Sequence, residues 1–191
     1  NGSEGFIQPY SRDIETGARP WIIPGTEGLE HQIGGLEKEN ITGKVNYDSE
    51  NHELMTRLRA EKVSGAVKSI PDITVNGDDK GDLLVLGWGS TLGAIRHAVD
   101  NTRAKGFSVS SAHVRYLNPL PANLGIILNN FKQVLVPELN LGQLRLMLRA
   151  KYLVDVIGLN KVQGQPFRIM DIESKIYELL EKQMPRVANI N

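Results

Sequence analysis

Cysteine is absent from all 191 residues of this chain. The chain alone can therefore form no disulfide, and it has no thiolates with which to hold an iron–sulfur cluster. No stretch approaches the roughly 18 consecutive apolar residues of a membrane-spanning helix, and no secretory signal sequence is visible. We therefore expect a cytoplasmic protein without a membrane partner.

An excess of charge of either sign is missing as well, because 22 Lys and Arg residues balance 22 Asp and Glu residues. A neutral chain has no general attraction for nucleic acid, so we expect no nucleic-acid partner. Only four histidines are present, and no two have the spacing of metal ligands on one helix or hairpin. The sequence thus predicts no metal site, and it contains no complete catalytic set.

Apolar residues make up 40% of the chain, which is enough for a globular core. Between residues 82 and 144 the order strand, tight loop, helix occurs three times. A continuous apolar run at residues 83–86 is typical of a strand that is buried on both faces, and residues 133–136 are predicted as a further core strand. Strands that alternate with helices predict an α/β fold with a mainly parallel sheet and helices on both sides.

The remaining element predictions follow from apolar periodicity, caps and breakers. Helices are predicted at residues 49–69, 90–105, 122–131 and 141–154, with a last helix that is capped by Asp171. Further strands are predicted at residues 73–75, 107–112 and 156–159.

Residues 1–48 differ from the rest of the chain, since they hold eight of its 19 glycines and follow no helical or alternating period. Apolar residues are scattered through them, which a flexible linker would not need. Two interpretations stay open: an arm that packs on another surface, or an ordinary long loop of its own domain. Asp48 and Ser49 are both suitable N-caps, so we assign the α/β domain to residues 49–191.

Three unusual loops follow the predicted strands. Their sequences are GWGST at residues 87–91, HVRYLNPLP at 113–121 and PELNLGQ at 137–143. In α/β sheets the binding loops follow the carboxyl ends of the strands. We therefore take the polar residues and glycines of these three loops as candidates for a crevice or an interface. The candidates are Gly87, Gly89, Ser90, His113, Arg115, Glu138, Asn140 and Gln143.

The glycine loop joins a strand to a helix, where backbone N–H groups and the helix dipole favour a phosphate or carboxylate. It is not a good dinucleotide fingerprint, because Leu92 stands where the third glycine belongs, and no Walker lysine follows. A tight turn that needs two small residues also explains the glycines, and we favour the turn. The alternative function is a free-standing α/β module that binds an anion or nucleotide at this loop.

His113 and Arg115 lie two residues apart at a strand end, so alternation puts both side chains on one side. A cation and an imidazole at this position could bind an acidic group across an interface. Equally, Arg115 could be an ordinary surface arginine and His113 a half-buried histidine with ordinary hydrogen bonds. Glu138 is a single carboxylate rather than an acid–base pair, so we expect it to bond backbone N–H groups or a partner. Asn140 is expected to cap the next helix, with Gln143 in its first turn.

Several strings in combination resemble a known family. They are PGTEGLEHQIGG at residues 24–35, LGWGST at 86–91, VLVPELNLGQL at 134–144 and KVQGQPF at 161–167. Together they resemble the C-terminal part of the alpha subunit of 2-oxoglutarate:ferredoxin oxidoreductases, which belong to the pyruvate:ferredoxin oxidoreductase-like family. The resemblance covers nearly the whole chain.

The resemblance implies an enzyme that decarboxylates a 2-oxoacid to an acyl-CoA and reduces ferredoxin, with thiamine diphosphate, Mg²⁺, coenzyme A and an iron–sulfur cluster. It implies that an upstream domain of the same subunit and a separate beta subunit carry the thiamine site, so this chain holds no cofactor and is inactive alone. It further implies a three-layer α/β/α domain similar to the transketolase C-terminal domain, with an antiparallel edge strand at residues 73–75. Residues 1–48 then link this domain to the upstream domain.

Overall fold

The first helix begins where the sequence predicts it. In the computed structural model, which describes residues 8–181, helix α1 spans Ser49–Gly65 and continues as a 3₁₀ turn over Ala66–Ser69. The Asp48 carboxylate caps α1 by accepting a hydrogen bond from the backbone N–H of Asn51 at 2.9 Å. The predicted cap and the predicted extent of this helix are therefore confirmed.

The chain divides into two units, residues 1–70 and residues 71–191. In the first unit, irregular backbone packs on α1 through Asn51, whose side chain bonds the carbonyl of Lys38 and the backbone N–H of Asn40. The glycine-rich segment thus contacts the helix that follows it. The assignment of residues 1–48 as a linker to an upstream domain stays a prediction.

Five strands form one sheet in the second unit. They are β1 (Val75–Asn76), β2 (Gly81–Trp88), β3 (Val109–Val114), β4 (Phe131–Glu138) and β5 (Val156–Asn160). Their order is β1-β3-β2-β4-β5, and β1 runs antiparallel to β3 while all other neighbours are parallel. The predicted mainly parallel sheet with an antiparallel edge is confirmed.

Helices cover both faces of the sheet. They are α2 (Leu92–Ala104), α3 (Leu124–Asn129), α4 (Gln143–Tyr152) and α5 (Ile169–Glu181). Alternate residues of β2 point to opposite faces: Leu83 and Val85 pack in one apolar cluster with α2 and α5, whereas Leu84 and Leu86 pack in a second cluster with α3 and α4. The three-layer α/β/α architecture is therefore confirmed. None of the helices that the structure describes is long and apolar enough to cross a membrane.

Several element predictions were wrong at their ends. The edge strand predicted at residues 73–75 is Val75–Asn76, and the strand predicted at residues 107–112 is Val109–Val114. The helix predicted through Phe131 ends at Asn129, because Phe131 begins β4 and its ring is buried in the cluster of α3 and α4. Asp171 lies inside the first turn of α5 and is not its cap. Its carboxylate reaches back to accept a hydrogen bond from the backbone N–H of Arg168 at 3.0 Å, which satisfies one N–H group ahead of the helix.

The topology defines one special point at the carboxyl edge of the sheet. β2 and β4 are neighbours, but α2 leaves β2 towards one face and α4 leaves β4 towards the other. Open α/β sheets form a crevice at such a point, beyond the strand ends. The loops that follow β2 and β4 therefore border the crevice.

Candidate functional site

Packing and backbone conformation account for the glycine loop after β2. A Cβ on Gly87 would lie 2.5 Å from Ile95 Cδ1 and 2.9 Å from Thr91 Oγ1, so only glycine fits between β2 and α2. Gly89 adopts a φ of 60°, which favours glycine, with open space around it. The Thr91 hydroxyl accepts from the N–H of Trp88 at 3.2 Å and donates to its carbonyl at 2.8 Å. These contacts support the favoured interpretation of the loop as a tight turn.

Glu138, the last residue of β4, is fully buried, and the protein uses both of its carboxylate oxygens. Oε1 accepts hydrogen bonds from the backbone N–H of Leu144 at 2.8 Å and from the indole N–H of Trp88 at 3.2 Å. Oε2 accepts from the backbone N–H of Arg145 at 3.1 Å. The negative charge stabilises the first turn of α4 and ties that helix to the end of β2. The expectation that Glu138 bonds backbone N–H groups is confirmed.

Asn140 completes this cap. Its Oδ1 accepts from the backbone N–H of Gly142 at 2.7 Å and of Gln143 at 3.1 Å, and its carbonyl accepts from the side chain of Asn160 at 2.9 Å. With Glu138, it satisfies the N–H groups that open α4, as predicted for a capping residue. An external anion could bind this helix end only by displacing oxygen atoms that the protein already supplies.

A positively charged cleft adjoins β3, which lies beside β2 on the side away from β4. His113 is the register partner of Gly87 in β2, and it lines a cleft of ≈ 200 Å³ together with Arg115 and Arg96. His113 and Arg115 thus line the same cleft, but Ala112 lines it as well and β3 ends at Val114, so their placement on one side of the strand stays a prediction. None of the Asp or Glu residues that the structure describes lines this cleft, so its charge suits a carboxylate or another anion.

The surroundings of the His113 imidazole favour its neutral form. Burial lowers the pKa of His113 below its usual 6.5, and the charge of Arg115 lowers it further, while a backbone hydrogen bond with Gly89 acts in the opposite direction. Nδ1 is buried and has no hydrogen-bond partner among the residues that the structure describes. The ring is therefore half-buried, as one of the two interpretations of His113 expects. Its Nδ1 atom lacks the ordinary hydrogen bond that this interpretation assumed, among the described residues.

The structure brings the eight candidate residues to one edge of the sheet, but in two groups. Gly87, Gly89, Ser90, His113 and Arg115 lie at the ends of β2 and β3, whereas Glu138, Asn140 and Gln143 lie at the end of β4. The side chains of Ser90 and Gln143 are exposed and make no hydrogen bond within residues 8–181.

Two residues of this edge were missed by sequence reasoning. Trp88 joins the two groups through its bond to Glu138. The sequence feature that could have identified Trp88 is a large aromatic residue between two glycines, directly after the buried apolar run. Arg96 lines the cleft with His113, but no pattern in the sequence distinguishes it from other arginines on a helix surface.

An iron–sulfur cluster has no ligands in this chain. No three His, Asp or Glu side chains within residues 8–181 are grouped so that they could hold a metal ion, and the sequence has no cysteine. The iron–sulfur cluster that the resemblance implies for a whole enzyme therefore has no thiolate ligands in this chain.

Comparison with protein families and curated relatives gives consistent matches. Residues 81–172 match the family model of the pyruvate:ferredoxin oxidoreductase core domain II. The 2-oxoglutarate oxidoreductase subunit KorA of Mycobacterium tuberculosis is 53% identical over 163 residues, which cover 84% of this chain and 24% of that protein. The 2-oxoglutarate synthase subunit KorA of Methanocaldococcus jannaschii is 28% identical over 153 residues, which cover 78% of this chain and 41% of that protein.

A solved structure matches the fold over nearly the whole chain. It is the 2-oxoglutarate:ferredoxin oxidoreductase from Magnetococcus marinus with 2-oxoglutarate, coenzyme A and succinyl-CoA bound. The match has a TM-score of 0.84 at 32% identity, and it covers 93% of this chain and 31% of that chain. This chain therefore spans between about a quarter and two fifths of the length of these relatives.

Proposed function

Because this chain belongs to the family of 2-oxoacid:ferredoxin oxidoreductase alpha subunits, we propose that it works as part of an enzyme that oxidises 2-oxoglutarate. The reaction releases CO₂, transfers the succinyl group to the sulfur of coenzyme A and passes the electrons to ferredoxin. The observation that carries this proposal is the 53% identity to the 2-oxoglutarate oxidoreductase subunit of M. tuberculosis over 84% of this chain.

The reactive centre of the proposed enzyme lies outside this chain. Thiamine diphosphate with Mg²⁺ belongs to an upstream domain of the same subunit and to a beta subunit, and the iron–sulfur cluster also belongs elsewhere. Two observations support this division: the chain has no cysteine, and Glu138, the buried carboxylate at the sheet edge, already holds α4 in place. A cytoplasmic location is part of the same proposal.

The second unit contributes a surface to this enzyme. Gly87, Glu138 and Asn140 hold the strand–helix junctions, and Ser90, Arg115 and Gln143 are exposed beside them. We assign the exposed group, together with the cleft at His113, to contact with the upstream domain or with the surroundings of the active site. The positive charge of this cleft suits acidic side chains on the opposing surface.

The first test is to capture the native protein from its source with an antibody to this chain. Coenzyme A-dependent reduction of a viologen dye by 2-oxoglutarate is the expected activity of the captured material, with a second subunit retained. The isolated chain should give no turnover when thiamine diphosphate and Mg²⁺ are added. Turnover by the isolated chain, or captured material without activity and with a native mass near 21.1 kDa, would contradict the proposal.

The second test addresses the surface in the complete enzyme. Arg115→Gln should weaken assembly or turnover several-fold, since it removes one cation of the cleft. Arg149→Gln is the matched control. Arg149 pairs with Asp155, which precedes the first residue of β5 and so lies at the amino ends of the parallel strands, away from the cleft. Equal behaviour of the two variants would refute the assignment of this surface.

A further inference from the structure

The first unit contains a positively charged cleft that no part of the proposed function explains. Its volume is ≈ 450 Å³. Five cationic side chains line it: Arg12, Arg19, Lys38, Arg59 and Lys62. We call this site the basic cleft. Among the described residues, Glu37 is the one acidic residue in its lining.

Lys38 is the most unusual of these cations, because only 3% of the residue is exposed. Its ammonium group donates to the carbonyls of Leu36 at 3.0 Å and of Gly34 at 3.4 Å. No carboxylate among residues 8–181 forms an ion pair with it. A buried ammonium without a counter-ion is costly, so its environment favours a bound anion.

The arginines are held beside one another in the same cleft. Nε of Arg12 is buried and has no hydrogen-bond partner among the described residues. Arg19 stacks 4.0 Å above the ring of Tyr10. Burial and then the charges of Arg19 and Arg59 lower the pKa of Arg12, which is the effect of like charges kept close together. An anion between these guanidinium groups would relieve their repulsion.

Glu37 cannot neutralise this group of cations. Its carboxylate bonds Arg59 at 3.0 Å and the imidazole of His52 at 2.8 Å. An adjoining cleft, which shares Arg12 and Lys62, also contains acidic residues, but none of them forms an ion pair with these two cations within the described part of the chain. Among residues 8–181, four of the five cations therefore form no ion pair with an acidic residue.

We propose that the basic cleft binds a phosphate group of a small-molecule ligand. A phosphate carries more charge and more acceptor oxygens than a single carboxylate, which suits two guanidinium and two ammonium groups that form no ion pair within the described residues. The phosphate has two possible sources, free inorganic phosphate species or a phosphate ester such as coenzyme A. Only the assignment to coenzyme A rests on the proposed function.

The test is isothermal titration calorimetry on the whole 191-residue chain at low ionic strength, with inorganic pyrophosphate in one series and coenzyme A in another. Lys38→Met removes the buried charge and keeps the side-chain length, and it should weaken binding about tenfold or more. Lys62→Gln, at the surface of the cleft, should weaken binding several-fold. Lys68→Gln is the matched control, since it is the same substitution on an exposed lysine of the same unit that does not line the cleft.

Tighter binding of coenzyme A than of pyrophosphate would assign the site to a phosphate ester, and binding of pyrophosphate alone would assign it to inorganic phosphate. Absence of saturable binding of either probe overturns the proposal. Equal weakening by Lys62→Gln and Lys68→Gln also overturns it, because the binding would then be non-specific attraction. The titration needs no turnover, so its failure leaves the proposed oxidoreductase function untouched, and an inactive enzyme leaves the phosphate site untouched.

Discussion

Replacing Glu138 tests whether the buried carboxylate holds the crevice of the second unit together. Glu138→Gln keeps one carbonyl oxygen, which can accept from Leu144 and Trp88, but its amide group then faces the backbone N–H of Arg145. The charge-assisted hydrogen bond from Arg145 is lost, and both the backbone N–H of Arg145 and the new amide N–H₂ group are left without an acceptor there. We expect a loss of about 2–3 kcal/mol in the free energy of unfolding of the second unit.

Two further substitutions divide this effect between the partners. Glu138→Ala leaves three donors unpaired and opens a cavity, so it should cost about 4–5 kcal/mol. Trp88→Phe removes only the indole donor and should cost about 1–2 kcal/mol. Because the two residues are in direct contact, the double variant should be less unstable than the sum of the single variants. Glu181→Gln, on an exposed residue of α5, should change the stability by less than about 0.5 kcal/mol.

Urea unfolding followed by far-ultraviolet circular dichroism measures these differences. Tryptophan fluorescence adds a probe of the second unit, because Trp88 packs against its core, whereas Trp21 of the first unit is already 98% exposed and changes little on unfolding. A Glu138→Gln variant as stable as the wild type would refute the role of the carboxylate. A Trp88→Phe variant as unstable as Glu138→Ala would show that packing of the indole, and not the cap of α4, carries the effect.

The remaining predictions concern packing and pH. Gly87→Ala should destabilise the second unit by about 1–3 kcal/mol in urea unfolding, because its Cβ would lie 2.5 Å from Ile95 Cδ1. Gly93→Ala, in α2 with open space around it, should stabilise the same unit by up to about 1 kcal/mol, and a loss of stability there would contradict the assigned packing. Arg59 and His52 lower the pKa of Glu37 from 4.5 to about 2. The stability that this ionised group adds to the first unit is therefore present above pH 4.5 and lost as the pH falls towards 2. It is about 1 kcal/mol, since 52% of the Arg59 side chain is exposed. Thermal unfolding of Glu37→Gln followed by far-ultraviolet circular dichroism should lack this pH dependence, and a variant that keeps the pH profile of the wild type would refute the assignment.

Local patterns in the sequence determined the elements, the loops and the family. Apolar runs, caps and breakers act over a few neighbouring residues, so the strands of the sheet, the cap at Asp48 and the bonding roles of Glu138 and Asn140 could be predicted. The helix end at Phe131 could not, because helical and strand periods both place an apolar residue there, and only burial against α3 and α4 decided between them.

Contacts between distant residues were decided only by the tertiary structure. The bond between Trp88 and Glu138 joins strand ends that are 50 positions apart. The basic cleft collects cations from positions 12 to 62, and no local pattern distinguishes them from solvated lysines and arginines. The overall charge of the chain is neutral, which hides this cluster in the composition. Net charge and periodicity follow from the sequence alone, whereas the desolvation of Lys38 and the crowding of like charges depend on how the chain folds back on itself.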